Sequence, residues 1–412
     1  MPPIEGLGSE DKGLNHKTNI GPFNKGAAMR IQIDETNTRN KGAELMFYAA
    51  LEEIERKFPN ATVIYNSEHG RIKNFQTGMH LKQRYWLTHF RFGVRVLNKL
   101  KIPHEYFTNH YPQKKIDLVL DAGGFRLSDQ WNYSLKHIDR LESYYKFLKE
   151  QGTTVIFLPQ AFGPFQTKSG QRSVELLNRY ADLVFVRESI SWQYLHDAGA
   201  DMKKMLLYPD FTPLVKGVVP EKYKSLKGKV CVIPNSRMVT HTKHGEDKYL
   251  SFIEQIINHI YGLGKDVFLL NHEAEDDLNL CRMIAEHLKK SIQIVTDLNA
   301  KEVKGVIGSS SIVISSRFHG VASALNQGVP CLATSWSHKY KLLFDDYGQD
   351  DKILSVEDHM NHTLQRIDHI MDQNIHAEIS GQLEKQTQLI KNKNTEMWEK
   401  VWNYFNQQRH SK

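Results

Sequence analysis

The stretch Ile312-Val313-Ile314-Ser315-Ser316-Arg317-Phe318-His319-Gly320, continued by Val321-Ala322-Ser323-Ala324-Leu325-Asn326-Gln327-Gly328-Val329-Pro330, decides the fold. Ile312 to Ile314 reads as a short buried strand, Gly320 to Asn326 as a helix, and Gly328-Val329-Pro330 as the stop before a further strand at Cys331 to Thr334. Arg317 and His319 then sit where a strand ends and a helix begins. Open α/β sheets hold anionic ligands at such junctions, because unpaired backbone N–H groups and the helix dipole both favour negative charge. A fixed cation beside a titratable imidazole suits a phosphorylated or carboxylated substrate. The alternative is a satisfied core histidine next to a surface arginine.

Three other strand ends carry related signals. The strand Ile116 to Asp121 runs into Ala122-Gly123-Gly124-Phe125-Arg126-Leu127-Ser128-Asp129, where paired glycines let the backbone turn and approach a ligand. Val155 to Leu158 runs into Pro159-Gln160-Ala161-Phe162-Gly163-Pro164. Leu183 to Val186 runs into Arg187-Glu188-Ser189, with Ser189 as an N-cap for the next helix. Upstream, the first strand, Arg30 to Ile33, leads through Asn37-Thr38-Arg39-Asn40-Lys41-Gly42-Ala43 to a helix over Glu44 to Lys57.

Taken in order, these motifs resemble the polysaccharide pyruvyl transferase family, over about residues 29 to 348. The family pattern has Asn-x-Gly-Asp/Ala-Glu, here Asn40 to Glu44, and a Gly-Gly-x-x-x-x-Asp loop, here Gly123 to Asp129. It continues with Pro-Gln-x-x-Gly-Pro, here Pro159 to Pro164, Val-Arg-(Asp/Glu)-x-x-Ser, here Val186 to Ser191, and Ser-x-Arg-x-His, here Ser315 to His319. The chain departs from the pattern at Ala122, where a third glycine is common. It departs again at Ser335-Trp336-Ser337-His338-Lys339, where the family often has Tyr-Asp-Pro-Lys, so Lys339 holds that lysine. The second departure bears on donor or acceptor preference rather than on the fold.

At 412 residues the chain exceeds the size at which one core keeps growing, so two domains are expected. The strand and helix alternation predicts an α/β protein with parallel, doubly wound sheets. The reading places a poorly ordered leader at 1–28 and an N-terminal Rossmann-like domain at 29–212. A C-terminal Rossmann-like domain follows at 213–348, then helices at 349–412 that pack back on both. The junction falls at Tyr208 to Pro213, where the pattern breaks. In the second domain the strands are Val230 to Ile233, Val267 to Leu270 and Ile292 to Val295, before the strand that ends at Arg317. Tyr85 to Leu100 reads as a helix with an aromatic stripe. Two Rossmann-like domains facing a cleft is the GT-B arrangement, which the resemblance also implies.

The net charge of +7 suggests attraction to anions. Phosphate ligands, acidic glycans and peripheral contact with an anionic membrane surface all suit it. The lysines are scattered and no nucleic-acid motif is present, so nucleic acid is not expected as a partner. Cys231, Cys281 and Cys331 are odd in number and widely spaced, which fits a reducing, cytoplasmic setting. No apolar run is long enough to span a bilayer. The histidines at 359, 362, 369 and 376 read as a solvated helix face, and no metal site is expected.

The resemblance implies transfer of pyruvate from phosphoenolpyruvate to two hydroxyls of one sugar, forming a cyclic ketal, with phosphoenolpyruvate as co-substrate and no resident cofactor. The acceptor would be a sugar of a surface polysaccharide or its lipid-linked precursor. Arg317 is the candidate clamp for phosphate or carboxylate, since a guanidinium binds either bidentately. His319 is the candidate acid/base group. Arg187 would supply a second cation; its alternative is a surface ion pair with Glu188. Asn40, Gly42 and Glu44 would line the acceptor side, with Gly123, Gly124 and Asp129 close by. Helix capping is the alternative for Asp129, and strand-end packing for Gln160. Arg237, His241 and Lys339 complete the substrate-binding candidates. The competing reading is a GT-B glycosyltransferase with a nucleotide-sugar donor; against it, no Asp or Glu lies between His319 and Phe344. A glycan-binding protein on a degenerate scaffold is a third.

Overall fold

The computed structural model describes residues 29–65, 80–84, 110–111, 116–240, 245–288, 290–334, 339–349 and 352–411. The leader, the aromatic stripe at 85–100, His241 and the stretch 335–338 lie outside them.

Two all-parallel sheets carry the architecture. The first has eight strands: β1 (Arg30–Asp34), β2 (Thr62–Tyr65), β3 (His80–Arg84), β4 (His110–Tyr111), β5 (Leu118–Asp121), β6 (Thr154–Gln160), β7 (Leu183–Val186) and β8 (Met205–Leu207). Its spatial order is β4-β3-β2-β1-β5-β6-β7-β8. The second has six: β9 (Val230–Ile233), β10 (Val267–Leu270), β11 (Gln293–Val295), β12 (Ile312–Ser315), β13 (Cys331–Thr334) and β14 (Ile353–Leu354). Its order, β11-β10-β9-β12-β13-β14, is that of a dinucleotide-fold sheet. The order reverses between β1 and β5 in one sheet and between β9 and β12 in the other. The doubly wound α/β reading is therefore correct. The short strands β3, β4, β8 and β14 were not foreseen, because their apolar runs are too brief to signal a strand.

The helices are α1 (Lys41–Lys57), α2 (Leu135–Glu150), α3 (Lys168–Tyr180), α4 (Ser189–Asp197), α5 (Arg237–Thr240), α6 (Glu246–Gly262), α7 (Ala274–His287), α8 (Ala300–Gly308), α9 (Phe318–Leu325), α10 (Lys339–Asp346), α11 (Met360–Met371) and α12 (Gln373–His410). Helix α1 starts three residues before the sequence reading placed it. Asn40 is its N-cap, and its side chain accepts from the N–H groups of Gly42 and Ala43. Helix α4 is preceded by Glu188 in the capping position, not by Ser189. The Glu188 carboxylate instead accepts from Arg187 Nε at 3.1 Å and Ser191 Oγ at 2.7 Å.

The strands of the first sheet alternate between two cores, as a pleat of period two requires. Ile31, Ile33, Leu118, Leu120, Ile156 and Leu158 face α1. Val119, Val155, Phe157, Val184 and Val186 face α2 and α3. Helix α12 joins both halves of the molecule. Ile379, Leu383 and Ile390 enter the core of the second sheet. Further along, Met397, Trp398, Val401, Trp402 and Phe405 enter that of the first. Trp398 and Trp402 stack at 5.4 Å, and Phe58 meets Trp402 edge-on. Truncating Trp402 to Ala should therefore lower unfolding free energy by about 3–5 kcal/mol. Urea denaturation measures this; a change below about 0.5 kcal/mol would mean that the helix end is a surface strap.

Candidate functional site

A cavity of about 610 Å³ opens where the carboxyl ends of the two sheets face each other. After β1 it is lined by Asn37, Arg39 and Asn40, after β5 by Gly124, Phe125, Gln130 and Trp131, and after β7 by Arg187. From the second sheet come Asn235, Ser236 and Arg237 after β9, His272 and Glu273 after β10, and Arg317, Phe318 and His319 after β12. Both points of strand-order reversal thus feed one cleft, the place where doubly wound sheets bind ligands.

His319 lies in the first turn of α9, and its ring is pressed against α1 of the other half. A Cβ at Gly42 would stand 2.1 Å from His319 Nδ1, so only glycine admits the imidazole there. On its other side, His319 Nε2 lies 3.7 Å from Asp210 Oδ2. Among the described residues neither atom has a hydrogen-bond partner, and both are shut off from solvent. Asp210 is oriented by Thr212, whose N–H donates to Oδ1 at 2.9 Å, and Arg187 Nη1 stands 4.0 Å from Oδ2. Burial alone would raise the Asp210 carboxyl, but His319, Arg187 and Thr212 outweigh it and hold the group far below the usual carboxylate range. Beneath it, buried Lys304 donates to the Thr212 carbonyl at 3.0 Å. Burial pulls this ammonium down to about 7 against the attraction of Asp210.

The two arginines differ in how far their donors are engaged. Arg317 lines the cavity, but its guanidinium is already bound: Nε donates to Asp277 Oδ2 at 2.8 Å, Nη2 to Asp277 Oδ1, and Nη1 to Glu273. The fork that was to clamp an anion is filled by two carboxylates of the same sheet. Arg187 is less committed. Its Nε donates to Glu188 and its plane lies 4.7 Å from the Phe318 ring, while among the described residues neither Nη makes a hydrogen bond. The surface ion pair with Glu188 exists, yet Arg187 itself is buried in the cavity wall.

Asn40 lines the cavity and pairs by a backbone bridge with Glu273, tying the loop after β1 to the second sheet. Gly124 is in the wall, where a Cβ would come within 3.1 Å of Met46. Arg237 also lines the cavity, and Lys339 opens α10. The remaining candidates lie elsewhere. Glu44 is buried against Lys41 at 2.7 Å, with its carboxyl pushed up by burial. Gly123 donates to Asp121 Oδ1 at 3.2 Å, and Gln160 Nε2 donates to the same atom at 3.2 Å. Both serve the buried cluster of Asp121, Arg126 and Tyr145 under the glycine loop. Asp129 accepts from the N–H groups of Gln166 and Thr167 and from Thr167 Oγ1 at 2.6 Å. Capping the turn before α3 is thus its role, because these donors use its oxygens.

Four site residues escaped the sequence reading: Asp210, His272, Glu273 and Asp277. Asp210 lay in a segment set aside as a domain junction. His272 and Glu273 follow a strand end directly, so the rule that singled out Arg317 would have found them. Asp277 lies one turn into α7, and nothing in the sequence pairs it with Arg317. Trp131 adds an indole at the cavity mouth, 48% exposed, whose Nε1 donates to the Phe125 carbonyl at 2.5 Å.

The family model for polysaccharide pyruvyl transferase matches residues 40–338. The chain belongs to that family. No curated protein matches it. Solved structures share the fold at low identity. Anabaena Alr3699/HepE in complex with UDP-glucose is 13% identical with a TM-score of 0.55, covering 91% of this chain and 100% of its own. A putative UDP-N-acetylglucosamine 2-epimerase from Listeria monocytogenes is 12% identical with a TM-score of 0.54, covering 86% and 91%. The S. aureus MnaA–UDP structure is 10% identical with a TM-score of 0.55, covering 92% and 97%. The likeness is one of fold, and with the two parallel sheets it gives this pyruvyl transferase family member two Rossmann-like units.

Because Arg317 neutralises the fully buried Asp277, replacing it should cost stability as well as any ligand contact. Arg317→Met is expected to lower unfolding free energy by about 3–5 kcal/mol, the usual cost of stranding a buried charge. Equilibrium denaturation checks this; an unchanged midpoint would restore Arg317 as a clamp waiting for its anion.

Proposed function

We propose that this transferase moves pyruvate from phosphoenolpyruvate onto two hydroxyls of one sugar, releasing phosphate and closing a cyclic ketal. The observation that carries the reading is the His319–Asp210 pair, formed across the two halves of the molecule on the wall of a cavity rich in arginine. The donor is a small dianion-bearing frame whose methylene carbon must gain a proton while a hydroxyl loses one. An imidazole oriented by a buried carboxylate can carry that proton. Arg187, whose Nη groups make no hydrogen bond among the described residues although Nη1 pairs with Asp210 at 4.0 Å, is the cation for phosphate or carboxylate. Arg39 and Arg237 add positive charge at the wall.

The acceptor in this reading is a sugar of a surface polysaccharide or of its lipid-linked precursor, entering past Trp131 and Phe125. Rigid aromatic surface at a pocket mouth suits the apolar face of a pyranose ring. No described helix is long and apolar enough to cross a membrane, so contact with a lipid-linked acceptor would be peripheral, aided by the basic charge. The three cysteines are buried and unpaired, which supports a cytoplasmic setting.

Calorimetric titration with phosphoenolpyruvate and with UDP-sugars, followed by phosphate release in the presence of a saccharide panel, tests the donor. Phosphoenolpyruvate is expected to bind and the UDP-sugars are not. His319→Ala should lose roughly 10²–10⁴-fold in turnover while the chain still folds, with a lower melting temperature because Asp210 loses its partner. Arg187→Lys should weaken phosphoenolpyruvate binding, because an ammonium lacks the planar fork. Binding of a UDP-sugar alone would overturn the reading.

A further inference from the structure

The cavity holds a second imidazole. His272 stands two residues past the end of β10, on the same wall as His319, and is 3% exposed. Its Nδ1 is buried without a hydrogen-bond partner among the described residues. A polar atom in that state is costly unless something arrives to pair with it. Three cationic or titratable groups face it from other elements: Lys41 from α1, and Arg317 and His319 from the junction of β12 with α9. From its own element come the carboxylates of Glu273 and Asp277, both drawn onto Arg317. The two histidines therefore differ in surroundings. His319 has a carboxylate against Nε2, whereas His272 has cations around it and, among the described residues, no acid paired with it.

We propose that His272 is the general base that takes the proton of the attacking sugar hydroxyl, with His319 as the acid that protonates the methylene carbon. The assignment rests on the pyruvyl-transfer reading and deepens it. In the first step the hydroxyl O–H bond breaks toward His272 and the oxygen bonds to C2 of phosphoenolpyruvate. The C2=C3 pair takes a proton from His319, turning the methylene into a methyl group. In the second step another hydroxyl of the same sugar bonds to C2 and gives its proton to the now neutral His319. The C2–O bond to phosphate breaks, and the phosphate leaves with the electron pair and the proton held by His272. One proton ends on carbon and one on phosphate, and both imidazoles return to their starting states without any co-reactant. Burial first, and then Arg317, His319 and Lys41, keep His272 well below the ordinary imidazole range, the state a base requires at neutral pH.

The test uses the full chain with phosphoenolpyruvate and a saccharide that supports phosphate release. His272→Asn is expected to bind phosphoenolpyruvate like the wild type while kcat falls roughly 10²–10⁴-fold. His272→Gly should regain part of that loss with added imidazole, which a packing role would not allow. The wild-type rate should fall on the acid side as His272 gains its proton, and that limb should vanish in His272→Asn. Wild-type kcat in His272→Asn would overturn the assignment while leaving pyruvyl transfer intact. So would equal loss of activity and thermal stability in His272→Asn and His272→Gly without imidazole rescue. Failure of the wild type to bind phosphoenolpyruvate would instead overturn the donor reading, and the role of His272 with it.

Discussion

The contact of His319 with Gly42 on one side and Asp210 on the other is the constraint on which the site depends. An imidazole from the second sheet can reach a carboxylate in the Asp210–Thr212 segment only because α1 presents no Cβ at that point. Asp210 in turn is held by Thr212, approached by Arg187 and underlain by Lys304. A buried carboxylate with one oxygen otherwise unpartnered is costly unless cations surround it. The two halves must therefore meet in one arrangement for that charge to be compensated. Supporting contacts point the same way: the Asn40–Glu273 bridge, the Lys301–Glu52 ion pair at 2.6 Å, and helix α12 running through both cores.

The placement of charge around the cavity separates structural cations from those free to act. Arg317 looks, in sequence, like the better anion clamp, yet its donors are consumed by Asp277 and Glu273. Its contribution is to hold α7 against the β12–α9 junction. Ser316, beside it, is fixed by Asn235 and Tyr340, whose side chains both donate to its carbonyl at 2.8 Å. That frame holds the backbone of the junction in place. Arg187, on the opposite sheet, holds its guanidinium carbon 4.7 Å from the centre of the Phe318 ring.

Much of the fold could be read from the sequence because buried parallel strands are short apolar runs, and each here is followed by a distinctive loop. Val230 to Ile233, Val267 to Leu270, Leu183 to Val186 and Cys331 to Thr334 fall where periodicity puts them. Edge strands such as Ile353–Leu354 do not, since two residues carry no period. Within the site, sequence reading located the junction residues Arg317, His319, Arg187 and Gly42, but not who holds whom. Partners such as Asp277 and Asp210 lie 40 and 109 positions away from the residues they bind. Asp129 and Glu44 show the converse: the motif positions are real, but their carboxylates are spent on a helix turn and on Lys41.

The new proton on the former methylene carbon is the direct signature of pyruvyl transfer. With phosphoenolpyruvate and an acceptor saccharide in D₂O, proton and phosphorus NMR follow both products at once. Pyruvyl transfer by this site is expected to give inorganic phosphate and a ketal whose methyl group carries one deuterium for each turnover, delivered to the former methylene carbon. Turnover that releases UDP from a UDP-sugar, with phosphoenolpyruvate left intact, would contradict it.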